Sequence, residues 1–138
     1  MFSFLKSKRF EPNFPIIDIF STPEEAYKVL SGFAAVNINE EPEQEEVDLE
    51  YEAENEETRI HVCISNGQIT YVNYLTSLFN NSDKQKAQKL RWFLEYYGGV
   101  EEFQEPQDTG YMVFCRNQKK NITVVLGLHM GPIRINRH

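Results

Sequence analysis

The chain has 138 residues, 41% of them hydrophobic and 13% aromatic, with a formal net charge of −7, which suits one globular domain over residues 1–138 with a core of its own. A net negative charge argues against direct nucleic-acid binding, which needs a basic surface. No stretch approaches the roughly 20 apolar residues that span a bilayer, and Lys6, Lys8 and Arg9 interrupt the opening apolar positions, so a cytoplasmic protein with no membrane contact is expected.

Residues 1–20 read as an N-terminal tether or edge strand, ending in the apolar run Phe14 to Phe20. Thr22 then stands as N-cap, Pro23 at the first helical position and Glu25 three residues after the cap, the pattern of a capping box. Ala26, Val29, Leu30 and Phe33 fall on one face of the helix this starts, which is expected to run to about Ala35.

The window 40–57 holds eleven of the twenty-one acidic residues and no Lys or Arg. Within it Glu46, Asp48, Glu50, Glu52 and Glu54 alternate with Val47, Leu49, Tyr51 and Ala53, the period of a strand with one apolar and one carboxylate face. Strands over Thr58 to Ser65 and Gln68 to Thr76 follow, joined at Asn66-Gly67, a pair suited to the positive φ angles of a type I′ turn. A tight turn at Asn55-Glu56 would set Glu52 beside Arg59, Glu50 beside His61 and Asp48 beside Cys63. Both turns place the apolar residues on a common face and so predict a three-stranded antiparallel meander.

A second helix is expected from about Asn81 or Ser82 to Gly98-Gly99, with Ala87, Leu90, Phe93, Leu94 and Tyr97 on its core stripe. Trp92 and Tyr96 fall on the far side with Gln85 and Lys89, either as a contact surface or beneath a loop or the N-terminal segment. A linker over Glu101 to Thr109 leads to a hairpin of two strands, Gly110 to Arg116 and Ile122 to Leu128, whose apolar runs suit central positions. Residues 129–138 read as a basic tail with a Gly131-Pro132 turn. The expected fold is therefore α+β, a mainly antiparallel sheet of about five strands (meander plus hairpin) with two helices, in the order α-β-β-β-α-β-β.

Motifs for phosphate, dinucleotide, acyl-transfer, zinc-protease or EF-hand chemistry do not occur. His61, His129 and His138 are distant in sequence, and Cys63 and Cys115 form no CxxC pair and read as reduced structural thiols. No catalytic residue, cofactor or metal is expected; carboxylates two apart on a strand stand too far from one another to share Ca²⁺ or Mg²⁺. His61 reads as the electrostatic partner of Glu50. An enzyme of unrecognised type using His61 or His129 is the third-ranked alternative.

The first reading is a non-enzymatic binding protein, an immunity protein or antitoxin in character, that neutralises a basic protein, such as a nuclease toxin. Asp48, Glu50, Glu52, Glu54, His61, Trp92 and Tyr96 would form its contact face. Carboxylates about 6.6–6.8 Å apart along a strand come close to the spacing of phosphates on one nucleic-acid strand. The second reading is an adaptor for a client protein. The element order over residues 22–128 is similar to that of the small acidic chaperones of type III secretion, which close with a further helix. That resemblance implies a homodimer through the second helix, with Trp92 and Tyr96 facing another copy.

Overall fold

The computed structural model describes residues 9–138 and has the α+β class expected, but its sheet contains eight strands rather than about five. Helix α1 (Pro23–Phe33) precedes β1 (Val36–Asn39), β2 (Leu49–Glu54), β3 (Thr58–Ser65) and β4 (Gln68–Thr76). Helix α2 (Asp83–Tyr96) and a 3-10 turn at Val100–Glu102 lead to β5 (Gln107–Asp108), β6 (Met112–Asn117), β7 (Ile122–Gly127) and β8 (Ile133–Arg137). All neighbours pair antiparallel in the order β1-β2-β3-β4-β8-β7-β6-β5.

Two of the additional strands change the map. The residues after α1 form edge strand β1 on the flank of β2, so the acidic strand is internal rather than exposed along its backbone. The expected basic tail is β8, seated between β4 and β7 and joining the two halves of the sheet. Its alternation explains the position: Ile133 and Ile135 are buried, whereas Arg134 is exposed. Arg137 donates to the carbonyls of Ile19 and Ile69 at 3.1 and 3.4 Å, clamping the N-terminal segment to the sheet.

One sheet face carries the core. Tyr51, Ala53, Ile60, Val62, Ile64, Val72, Tyr74, Val124, Leu126, Ile133 and Ile135 are buried there beneath the helices. Helix α1 begins with the capping box of Thr22 and Glu25 and packs on β1, β2 and β3, while α2, capped by Ser82, packs on β7. Residues 9–20 form no strand, in contrast to the edge-strand alternative; they run as an irregular strap whose Phe10, Phe14, Ile17 and Ile19 are buried. The strap is tied to β4 by a 2.8 Å hydrogen bond from the Ile17 amide to the Tyr74 hydroxyl. Residues 1–8 of the expected tether lie outside the described residues.

The strap also decides what covers α2. Phe10 packs edge-on against Trp92 and Phe79, at centroid distances of 5.8 and 5.5 Å. Lys89, which helical periodicity places outward, is fully buried, its ammonium donating to Leu78 O at 3.4 Å and Asn80 Oδ1 at 3.1 Å. Ala87 of the expected core stripe is exposed instead. No helix is long and apolar enough to cross a membrane among the described residues.

Candidate functional site

Both helices and the strap lie on one face, leaving the other face of the sheet without a helical cover. Along β2 this open face presents Glu50, Glu52 and Glu54 while Tyr51 and Ala53 point to the core, so the alternation read in the acidic window has its structural counterpart. The register differs by two residues from the one expected. Glu50 lies opposite Cys63, Glu52 opposite His61 and Glu54 opposite Arg59, because the turn tip is Glu56-Glu57 rather than Asn55-Glu56. Asn55 sets that turn: its side-chain oxygen accepts from the amides of Glu57 and Thr58 at 2.9 and 2.8 Å, and its own amide donates to Thr58 O at 3.0 Å. A step of two leaves each side chain on its face, so the apolar and carboxylate sides survive the change.

The expected neighbours still meet, now diagonally. Arg59 Nε lies 3.7 Å from Glu52 and 3.4 Å from Glu54, and His61 Nε2 lies 3.2 Å from Glu50. Asp48 has a different partner from the one expected: its carboxylate accepts from the Asn66 amide at 2.7 Å and braces the β3–β4 turn. That turn has the anticipated left-handed residues, Asn66 at φ 52 and Gly67 at φ 75. The remaining carboxylates of the 40–57 window have no cationic side chain within 4.0 Å among the described residues.

A second irregularity shapes the open face. Between Cys63 and Ile64 the β3–β4 register shifts: Ile64 faces Ile69, as the two-residue Asn66-Gly67 turn requires, but Val62 faces Val72, where an unbroken ladder would bring Tyr71. The extra residue is a bulge, and it turns Tyr71 away from the core. Tyr71 instead stands over Cys63 and beside His61, with ring centroids 6.2 Å apart, and its hydroxyl donates to Gln44 Oε1 at 3.1 Å. Arg134 of β8 lies over the other part of its ring at 4.2 Å. These neighbours bury Cys63 completely although it belongs to the face without helices.

Glu50, His61 and Cys63 thus converge, with Cys63 Sγ 3.7 Å from His61 Nε2 and all three donor atoms within 4.8 Å of one another. This is not a Cys–His–Glu relay. A relay uses the two ring nitrogens separately, one for the nucleophile and one for the acid, whereas here Nε2 meets both. Burial also pushes the Cys63 thiol up to about 11, so it is protonated near neutrality and a weak nucleophile; the polar hydroxyl of the neighbouring Tyr71 counters this only in part.

Next to this cluster a cleft of about 790 Å³ opens at the β3–β4 end of the sheet. Glu45 and Glu46 line one side, Arg134 and His138 the other, and Tyr71 lies between them. The charge of the open face is therefore divided, acidic at β2 and its preceding loop, basic at β8. His138 contacts Thr123 Oγ1 at 2.5 Å through Nε2. His129 is exposed in the β7–β8 turn.

Trp92 and Tyr96 are far from the acidic strand, on α2 across the core. They stack at 5.3 Å with their planes 21° apart, yet only Tyr96 is exposed, because Phe10 covers Trp92. The seven residues expected to form one contact face therefore belong to two separate surfaces. Comparison with family models, with curated proteins and with solved structures finds no match in any of the three.

Proposed function

We propose that this protein is a non-enzymatic binding protein that neutralises a basic partner, in the manner of an immunity protein or antitoxin, through the acidic strand β2 and the 40–48 loop before it. The observation that carries the reading is the charge imbalance of that region. Eleven carboxylates occur between residues 40 and 57, and among the described residues only the Arg59 guanidinium and the His61 ring come within 4.0 Å of any of them as basic side chains. Uncompensated charge on a rigid strand costs repulsion that a basic partner would relieve. Steering by such a field also speeds encounter.

The partner class follows from the spacing. Glu50, Glu52 and Glu54 stand on one strand at intervals of about 6.6–6.8 Å, a row suited to a cleft that otherwise takes a phosphate backbone. The contact set is Glu45, Glu46, Glu52 and Glu54. Asp48 braces a turn, and Trp92 belongs to the core side of α2.

The adaptor reading has weaker support, since residues 133–137, which follow the β6–β7 hairpin, form the central strand β8 and not a helix. The test is capture of basic proteins by the immobilised full chain at low and at about 0.5 M salt. Salt-sensitive capture that disappears in the Glu45→Lys/Glu52→Lys/Glu54→Lys variant, with the fold intact by circular dichroism, is the expected result. Capture that the reversal leaves unchanged, or none at low salt, removes the proposal.

A further inference from the structure

We propose that Glu50, His61 and Cys63 form a binding site for a divalent transition metal of the zinc class, held by one carboxylate oxygen, one imidazole nitrogen and one thiolate sulfur. The argument begins with distances. Zinc binds sulfur at about 2.3 Å and nitrogen or carboxylate oxygen at about 2.0–2.1 Å, so tetrahedral geometry sets its donors about 3.3–3.6 Å apart. Here Nε2 is 3.2 Å from the Glu50 oxygen and 3.7 Å from the Cys63 sulfur, and the third separation lies within 4.8 Å. The donors already stand near that spacing, and small side-chain rotations would complete it.

Direction supports the same conclusion. A single nitrogen of His61 faces both the carboxylate and the thiol, which is unsuited to proton relay but is how donors are placed around one cation. Two of the three come from β3 at positions 61 and 63, on one face, and the third is the cross-strand neighbour of Cys63. Strands hold such side chains more rigidly than loops. The site also has outer neighbours: Tyr71 stands across from Cys63 and its hydroxyl is fixed by donation to Gln44. Packing and orientation of ligands by a second layer are recurrent in metal sites.

The donor set selects the ion. Thiolate and imidazole suit zinc and its neighbours, whereas Ca²⁺ and Mg²⁺ take oxygen. Three protein ligands leave a fourth position, and the partial exposure of Glu50 and His61, 18% and 23% at the side chain, gives a water molecule access to it. Binding exchanges the thiol proton for the metal, so one proton leaves for solvent and no oxidant is required.

The test uses untagged full chain titrated with Co²⁺ and then Zn²⁺, read by absorption and by metal analysis after dialysis. One Co²⁺ per chain with a thiolate charge-transfer band, displaced by Zn²⁺ and unaffected by millimolar Mg²⁺, is expected. Cys115→Ser should keep the band, because Cys115 is buried on the opposite face. Cys63→Ser should lose it and bind more than about 100-fold more weakly, beyond the 10–100-fold that loss of an outer-shell partner costs. Tyr71→Phe should fall within that outer-shell range. Should Cys63→Ser not fold, Glu50→Gln and His61→Asn decide, each expected to weaken binding by a similar factor with the circular dichroism unchanged. No saturable binding by the wild-type chain, a band that survives Cys63→Ser, or full affinity in both other variants overturns the proposal and leaves an ordinary His–Glu contact beside a buried thiol.

Discussion

Trp92 is held between Phe10 of the strap and Tyr96 one helical turn away, with Phe93 edge-on at 5.0 Å. Its ring therefore fastens the strap to α2, and its loss would open a gap that Phe10, Phe79 and Phe93 cannot all close. Trp92→Ala is expected to cost about 2–3 kcal/mol of unfolding free energy, below the about 3–5 kcal/mol of a fully buried Trp because part of the ring is exposed. Tyr96→Ala, at an exposed position, should cost under about 1 kcal/mol. Chemical denaturation of the two variants checks both. At this scale the helix period named Leu90, Phe93, Leu94 and Tyr97 as core but misplaced Ala87 and Lys89, and it left open whether Trp92 is a contact surface or lies beneath the N-terminal segment, whose Phe10 covers it. An angle around a helix axis says which residues share a side, and not which other segment arrives to cover them. Here the segment is more than sixty residues away in sequence.

Among the elements, the local signals are clearest where the chain organises itself over four or five residues. The Thr22–Glu25 capping box and the Asn66-Gly67 turn are both present, because their hydrogen bonds and φ angles depend on near neighbours alone. Strand β8 is different. Its five residues include only two isoleucines, and their meaning appears when β4 and β7 offer an edge on each side. Removing residues 132–138 is expected to abolish cooperative folding: the two halves of the sheet would lose their common strand, and Ile133 and Ile135 would leave the core. A far-ultraviolet spectrum and thermal melt of the truncated chain provide the check, and a native-like melt would show that β8 is an accessory. The turn before it is equally constrained. Gly131 has φ 72, and a Cβ there would meet the side chain of Asn80.

For the molecule as a whole, charge and layering are the controlling features. One face of the sheet bears the helices and the strap, and the other has carboxylates at β2 and arginine at β8. The 40–57 window repels itself in the free protein, since most of its carboxylates have no cation within ion-pair distance among the described residues. Screening by salt shortens that repulsion, with a Debye length of about 10 Å at 0.1 M and about 3 Å at 1 M. The melting temperature is therefore expected to rise between 0.05 and about 0.5 M sodium chloride by a few degrees, on the order of 1 kcal/mol for a domain of this size. In the Glu45→Lys/Glu52→Lys/Glu54→Lys variant the rise should shrink. A melting temperature independent of salt would mean that the acidic window is compensated in solution, and would remove the support it gives to partner binding.

The sequence by itself determined the α+β class, both helices, the β3–β4 turn and the two-faced character of the acidic strand, because each depends on periodicity or on bonds between near neighbours. Only the tertiary structure decided how many strands the sheet has, that residues 133–137 are its centre, and which side chains meet across it. The Glu50, His61 and Cys63 cluster illustrates the reason. It exists because the Asn55 side chain moves a turn by one residue and a bulge rotates Tyr71 out of the core. Either change is small in local energy, yet the first reassigns every neighbour across β2–β3 and the second every neighbour across β3–β4 from Cys63 onward, so the choice falls to the packing of the whole sheet.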